Sequence, residues 1–187
     1  MCWIAWRKMT RSFNAGGLGF RDIKTFNDAL LAKNSWRLLT KPSCLLAKVL
    51  LGKYCKTKPF FSCSATNTAS HGWRSMCAGL ELLKPSLGTL IGTGKDTSVW
   101  HSPWLSLKKT LCPMGPATEA NHTLKVSDLI LPNSSEWNIP LMRDILPQYE
   151  YEIKKLRPSR YGVADTWAWL PNTSDIYSAK SGYHVAI

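Results

Sequence analysis

Residues 25–40 of this 187-residue chain read TFNDALLAKNSWRLLT. Thr25 is followed three residues later by Asp28, a spacing typical of a helix start, because the two side chains can bond free amides of the first turn. Pro42 excludes a longer helix, since the residue before a proline disfavours helical backbone angles. The stretch therefore predicts a helix over residues 26–40.

The apolar residues of this predicted helix occupy more than one side of it. One broad face carries Phe26, Ala29, Leu30, Trp36 and Leu39. Leu31 and Leu38 point elsewhere at helical spacing. A helix that is apolar on two sides needs neighbours on both, so we expect it to lie inside a larger assembly.

Two further helices are predicted after it. Ser43 can cap a helix that ends near Tyr54, and Ser70 can cap another that ends before Pro85. The last helix repeats apolar residues at spacings of three and four, namely Trp73, Met76, Cys77, Leu80 and Leu83. Residues 1–85 are therefore expected to form a three-helix unit.

The pattern changes after residue 85. Leu90 and Ile91, the glycine-containing stretch 92–96 and residues 97–100 predict a β-hairpin. Beyond the hairpin the sequence predicts loops to residue 135, a short element near 126–131, short helices over 139–146 and 148–156, and a strand, turn and helix start over 165–183.

The expected fold class is therefore α+β and mainly helical, with a three-helix unit followed by a β-hairpin, loops and a truncated terminal module. The expected segments are a helical segment (1–85), a β-hairpin and loop linker (86–135), and short helices with the truncated module (136–187).

Positive charge is concentrated near the N-terminus. The whole chain has a formal net charge of +12, and residues 1–60 hold 12 basic and two acidic residues, a net charge of +10. Such a field attracts polyanions, so RNA or DNA is the expected partner, ahead of an acidic protein or a membrane surface. The alternative is a solvated basic face without a ligand.

The candidate nucleic-acid-binding residues come from this basic part of the chain. They are Arg7, Lys8, Arg11, Arg21, Lys24, Lys33 and Arg37. Trp6, Phe20 and Trp36 are interleaved with them, and aromatic rings at such positions either stack on unpaired bases or pack in the core. The core is the commoner place for such rings, and the pattern alone leaves both interpretations open.

The sequence offers no set of catalytic or metal-binding residues. Nucleotidyl transfer needs paired carboxylates for two metal ions, and the tightest acidic pair is Glu150 and Glu152 on a predicted surface helix. The closest cysteines, Cys55 and Cys63, lack the short spacing of a zinc site. We therefore expect no enzyme activity, no bound metal and no cofactor.

The stretch Gly92-Thr93-Gly94-Lys95 resembles part of a phosphate-binding loop. That motif requires a glycine at position 89 and a hydroxyl side chain after the lysine, whereas the chain has Thr89 and Asp96 there. A hairpin turn is the preferred interpretation.

The six cysteines are scattered along the chain, and no apolar run is long enough for a signal peptide or a membrane span. An intracellular protein with reduced thiols and no membrane partner is expected. Nucleus, cytoplasm and mitochondrion are not distinguished by these features.

Three groups of residues carry a resemblance to one known family. The first group is Trp3-Ile4-Ala5-Trp6 with GGLGFRD (16–22) and FNDALLAKNSWR (26–37). The second is Trp73-Arg74-Ser75 with Ile91-Gly92, Gly94, Val99-Trp100 and Trp104-Leu105. The third is Asp165 with Trp169 and YSAKSGY (177–183). Together they resemble a region of plant LINE-type (non-LTR) retrotransposon reverse transcriptases, between the polymerase core and the C-terminal zinc-binding domain. Small uncharacterised plant mitochondrial reading frames derived from this region carry the first group as well.

The resemblance implies a parent polyprotein that is an RNA-directed DNA polymerase. Its palm, with an Asp-Asp metal site, is expected before Met1, and the zinc ligands of its terminal domain beyond Ile187. Ser102 stands where the family often has an acidic residue, so no special role is carried over to the expected hairpin. The implied function is a non-catalytic connection that touches RNA or DNA, and the alternative is a decayed or domesticated relic without biochemical activity.

Overall fold

A computed structural model describes residues 4–56, 58–115, 118, 121–132 and 134–187. Trp3, part of the first group of residues that carries the family resemblance, lies outside the described residues. The chain folds as two compact units, unit 1 (Met1–Leu83 with Tyr177–Ile187) and unit 2 (Lys84–Ile176). The expected division at residues 85 and 135 stays a prediction.

The described residues contain α-helices and one two-stranded sheet, so the α+β, mainly helical class is confirmed. The helices are α1 (Trp6–Met9), α2 (Ile23–Thr40), α3 (Leu45–Tyr54), α4 (His71–Leu83), α5 (Ile139–Ile145), α6 (Glu150–Lys155) and α7 (Ala179–Ala186). The strands are β1 (Leu87–Leu90) and β2 (Thr166–Trp169). Short 3-10 turns lie at Phe13–Ala15, Phe60–Ser62, Lys84–Ser86, Val126–Leu129 and Pro147–Tyr149.

Helix α2 is the centre of unit 1 and packs against both α4 and α7. Its contact positions are small: Ala29, Ala32 and Ser35 are completely buried. The Ser35 hydroxyl donates to the carbonyl of Met76 on α4 at 2.7 Å. On the α7 side, the Tyr177 hydroxyl donates to the carbonyl of Ala29 at 2.8 Å. Within unit 1, α2 therefore has the two neighbours that its apolar pattern predicted.

The hydrophobic core of unit 1 lies between α2, α3 and α4. Trp73 of α4 is its largest buried side chain. The Tyr54 ring stacks on Trp73 with centroids 4.6 Å apart, and Phe60 tilts against it at 5.6 Å. Cys63 and Cys77 are buried beside these rings. Aromatic packing thus fixes the loop between α3 and α4 onto the helices.

The predicted start of α2 is wrong by three residues. The helix begins at Ile23, and the Asp22 side chain caps it by accepting from the amide of Thr25 at 2.8 Å. Asp22 also accepts from the Thr25 hydroxyl. A carboxylate is a stronger acceptor than a hydroxyl, so Asp22 takes the capping role that was assigned to Thr25. The predicted bounds of α3 and α4 agree with the structure within two residues.

Unit 2 is built around buried tryptophans. Trp104 is completely buried and stacks with Trp137 at 5.9 Å. Each indole N–H has a backbone acceptor, since Trp104 donates to Val99 and Trp137 to Leu156, both at 2.9 Å. Buried tryptophans require such acceptors, because an unpaired N–H in a core costs free energy.

The predicted β-hairpin is wrong in its partner. Strand β1 pairs antiparallel with β2, and Leu87 lies opposite Trp169. Residues 92–97 do not return along β1 but form a loop around Asp165. Local turn residues favoured a hairpin, whereas in the structure the amides of this loop bind a carboxylate about 70 residues further along the chain.

No helix among the described residues is long and apolar enough to cross a membrane.

Candidate nucleic-acid interface

Arg7, Lys8 and Arg11 lie at the beginning of unit 1, and all three are exposed. Arg7 and Lys8 belong to α1. Arg11 opens the loop that follows, and its carbonyl accepts from the amide of Gly19 at 2.9 Å. This contact closes the loop, so the backbone of Arg11 is fixed where the loop begins.

The loop is closed by backbone contacts that only glycine allows. A Cβ atom on Gly17 would lie 2.1 Å from the carbonyl oxygen of Arg11. Gly16 and Gly19 have positive φ angles of +73° and +65°, which L side chains rarely adopt. The Gly-Gly-Leu-Gly stretch is therefore a turn of defined conformation, which brings the chain back to the end of α1.

Aromatic rings lie exposed around this turn. The Trp6 and Phe20 rings face each other with centroids 5.8 Å apart, and both rings are partly exposed. Phe13 is 76% exposed, and its ring lies against Gly19. Trp36, which is also interleaved with basic residues in the sequence, is buried against Tyr177. The structure thus separates exposed rings that could meet a base from a core ring that could not.

Arg21 joins the turn to α2. Its guanidinium carbon lies 5.3 Å above the ring of Phe26, and Phe26 meets Tyr183 of α7 edge-on. A guanidinium held over an aromatic face keeps its outer N–H groups free for a phosphate. Arg21 can therefore stack on Phe26 and still present N–H groups to a phosphate.

The three candidate residues on α2 do not share one face. Lys33 and Arg37 lie one turn apart on the exposed side of the helix. Lys24 precedes Lys33 by nine residues, which is two and a half turns and places it on the opposite side. Lys24 lies near Asp22, whose carboxyl pKa is lowered chiefly by the hydrogen bond from the Thr25 amide and slightly by the charge of Lys24.

Unit 1 holds nearly all of the net charge. It contains 14 basic and three acidic residues, a net charge of +11, whereas unit 2 has 10 basic and nine acidic residues, a net charge of +1. Among the described residues, none of the seven candidates forms an ion pair. Lys41, Lys48 and Lys53 are further exposed bases of unit 1 that the candidate set omitted. They differ from the seven candidate residues in position alone, since Lys41 follows α2 and Lys48 and Lys53 lie on α3.

The glycine loop of unit 2 binds a carboxylate of its own chain. The Asp165 side chain accepts from the amides of Gly92, Gly94 and Asp96 at 2.7, 2.8 and 3.1 Å, and from the Thr97 hydroxyl at 2.7 Å. Converging amides of this kind form an anion site. The loop is therefore occupied by Asp165, which the sequence analysis named only through the family resemblance.

Glu150, which forms the tightest acidic pair with Glu152, is held by two basic side chains. Glu150 accepts two hydrogen bonds from Arg143, at 2.9 and 2.8 Å, and another from Lys154. The Arg143 hydrogen bonds, with help from Lys154, lower the pKa of Glu150 to about 2. Glu150 thus holds α5 and α6 together on the surface. No cluster of three His, Cys, Asp or Glu suited to a metal ion occurs within the described part of the chain.

The lowered pKa of Glu150 predicts an acid-dependent loss of stability. The contribution is complete above the carboxyl's ordinary pKa near 4.5 and disappears as the pH falls through about 2. Glu150→Gln is therefore expected to lower the thermal midpoint at pH 6 and to lose this effect at pH 2. Thermal melts of the wild type, Glu150→Gln and the matched control Glu152→Gln measure the difference. An equal effect of Glu150→Gln at both pH values would contradict this assignment.

Comparison with known proteins supplies two relatives, both from Arabidopsis thaliana. The chain is 41% identical over 113 residues to the "Uncharacterized mitochondrial protein AtMg00310", a match that covers 60% of this chain and 73% of the relative. It is 32% identical over 117 residues to the "Putative ribonuclease H protein At1g65750", covering 58% of this chain and 18% of that protein.

No family model matches the sequence, and no solved structure matches the fold. The second relative is much longer than the matched region, so its whole activity does not transfer. The first relative is matched over most of its own length at high identity. On that basis the chain belongs to the family of the mitochondrial protein AtMg00310.

Proposed function

We propose that this chain is a non-catalytic fragment of a plant LINE-type retrotransposon reverse transcriptase, and that unit 1 binds RNA or DNA without sequence preference. The observation that carries the binding proposal is the pairing of charge with exposed rings. Unit 1 has a net charge of +11, and Trp6, Phe13 and Phe20 lie exposed among Arg7, Lys8, Arg11 and Arg21.

Each part of this surface suits a single-stranded nucleic acid. Exposed lysine and arginine side chains can neutralise phosphates and release condensed counterions. This gives affinity that does not depend on the nucleotide sequence. Exposed rings can stack on unpaired bases of any kind. The shaped glycine turn holds the rings and Arg11 together, so less order has to be gained on binding.

The absence of catalysis belongs to the same proposal. Glu150 is engaged by Arg143 and Lys154, and Asp165 is engaged by the glycine loop. Neither carboxylate is therefore free to hold a metal ion near a phosphate. The relative named for ribonuclease H, matched over 18% of its length, supports a place for this segment within a longer protein that acts on nucleic acid.

Salt-dependent binding is the test of this proposal. The full chain should bind a fluorescent single-stranded RNA, with an affinity that falls by a log–log slope of about 0.7 for each phosphate neutralised. Replacing Arg7, Lys8, Arg11 and Arg21 together by Gln should reduce that slope by about 3 units. Fluorescence anisotropy across a range of salt concentrations measures both proteins.

The matched control changes four bases of unit 2. Replacing Lys154, Lys155, Arg157 and Arg160 by Gln removes the same charge from unit 2, where Lys154 donates to Glu150 and Lys155 lies over the Tyr151 ring. This control should keep most of the slope. Equal losses in the two quadruple variants would indicate diffuse attraction by net charge. No binding at low salt would favour the alternative, a relic without activity.

A further inference from the structure

Helix α3 exposes three of its large apolar side chains on the surface of unit 1. Leu45 is 79% exposed, Leu46 38% and Val49 59%, while the small Ala47 is the buried residue of the helix. An amphipathic helix normally turns its large apolar residues towards the core. In α3 the inner face packs on the core through Ala47, Leu50 and Leu51, and the opposite face carries a second apolar stripe, Leu45–Val49–Gly52, at helical spacing.

The edges of this stripe are positively charged. Lys48 lies on one side of it, and Lys53 lies on the other side beside Leu46, by their spacing on the helix. Residues 29–80 contain eight basic residues and no Asp or Glu. A partner that covers the stripe therefore meets lysine side chains at its edges and no carboxylate from residues 29–80.

Gly52 is the second unusual feature of the stripe. It lies inside α3, where glycine is disfavoured relative to alanine. A Cβ atom at this position would meet nothing within 4 Å, so packing within the chain does not require glycine. Its φ angle is not positive, so backbone conformation does not require it either. A surface glycine does permit the close approach of another backbone.

We propose that this α3 face, formed by Leu45, Val49 and Gly52 between Lys48 and Lys53 with Leu46 beside Lys53, binds an acidic amphipathic helix of another protein. Leucines of the partner would lie along the stripe and cross α3 closely at Gly52. Its flanking carboxylates would pair with the two lysines. Two helices would then pack through apolar residues at helical spacing, with complementary charges at the rim.

A nucleic acid fits this face less well. Leu45, Leu46 and Val49 have no ring on which a base can stack, and phosphates gain nothing from aliphatic carbon. The exposed rings of unit 1 lie instead near α1 and its loop. The α3 face is thus a separate surface, and its test does not depend on the result of the RNA-binding test.

The probe is a synthetic, fluorescently labelled helical peptide of about 16 residues. It carries leucines at positions that form one face and glutamates on both flanks, and the control peptide has the same composition in scrambled order. The full chain should bind the amphipathic peptide at least tenfold more tightly, as measured by fluorescence anisotropy. Equal binding of the two peptides would reduce the effect to net charge and overturn the proposal.

Two variants locate the binding surface. Gly52→Ala should raise the thermal midpoint by about 2–5 °C, because alanine favours the helix, and yet weaken peptide binding at least tenfold. Val49→Asp should abolish binding, whereas Val163→Asp, at an exposed valine of unit 2, should not change it. Unchanged binding by Gly52→Ala would overturn the proposal. So would anionic lipid vesicles that bind the wild type, but not Val49→Asp, more tightly than the peptide does.

Discussion

Replacing Asp165 by alanine is expected to destabilise unit 2 by about 3–5 kcal/mol, since hydrogen bonds to a charged group contribute about 1.5–3 kcal/mol each and the loop can recover part of the loss from water. The side chain accepts four hydrogen bonds from residues 92–97. Gly92 and Gly94 are buried, so their amides would be left without a partner.

Amide hydrogen exchange measures this prediction at the donors themselves. The amides of Gly92, Gly94 and Asp96 should exchange much faster in Asp165→Ala, while the amides of α2 in unit 1 should keep their protection. Asp165→Asn should be intermediate, because its amide oxygen can still accept from two glycines while its NH2 group faces donors.

The matched control is Asp96→Asn, which removes the same charge from an exposed position in the same loop. It should change the unfolding free energy of unit 2 by less than about 0.5 kcal/mol. Equal destabilisation by the two substitutions would mean that net charge, and not the hydrogen-bonded carboxylate, holds the loop.

Local sequence patterns predicted the helices of unit 1 but not the contacts of Asp165 and its neighbouring strand. Helices α2, α3 and α4 were predicted because apolar spacing, capping residues and prolines all lie within the helix or beside it. The partner of β1 was not predicted, because β2 lies more than 70 residues away and no local pattern links them. In this pairing the buried Leu87 lies opposite the buried Trp169, a contact that turn residues do not predict.

For the candidate interface, too, the sequence predicted some features and missed others. Exposure of Arg7, Lys8 and Arg11 follows from charge alone, and the sequence predicted it. The separation of buried Trp36 from exposed Trp6 and Phe20 did not follow, since all three have similar neighbours in sequence. What separates them is Tyr177, two residues before α7, whose ring packs against Trp36. That contact joins residues 141 positions apart.

Close packing of α2 on α4 gives the second large effect. Gly79 of α4 faces the backbone of α2, and an added Cβ atom would lie 2.6 Å from both the amide nitrogen of Ala32 and the carbonyl carbon of Leu31. Backbone atoms cannot rotate away as a flexible side chain can, so the two helices would have to separate. Gly79→Ala is expected to destabilise unit 1 by about 2–3 kcal/mol, the range of overpacked cores.

The sign of this effect is what makes it informative. Alanine is the better helix former by up to about 1 kcal/mol, so intrinsic propensity alone would make the substitution stabilising. Gly72→Ala in the same helix serves as the control, because a Cβ atom there meets nothing within 4 Å. Urea denaturation should place the Gly72→Ala midpoint at or above the wild type and the Gly79→Ala midpoint well below it.

A shared sign for the two variants would contradict the packing of α2 against α4. The position of α2 also sets where Lys33 and Arg37 lie and which face of the helix meets Tyr177. Gly79→Ala should therefore disturb the Ser35–Met76 hydrogen bond across the helices as well, exposing the Ser35 hydroxyl that is now buried. Small side chains on α2 and a glycine on α4 are thus what allow a helix with two apolar sides to be buried on both while its basic side stays in solvent.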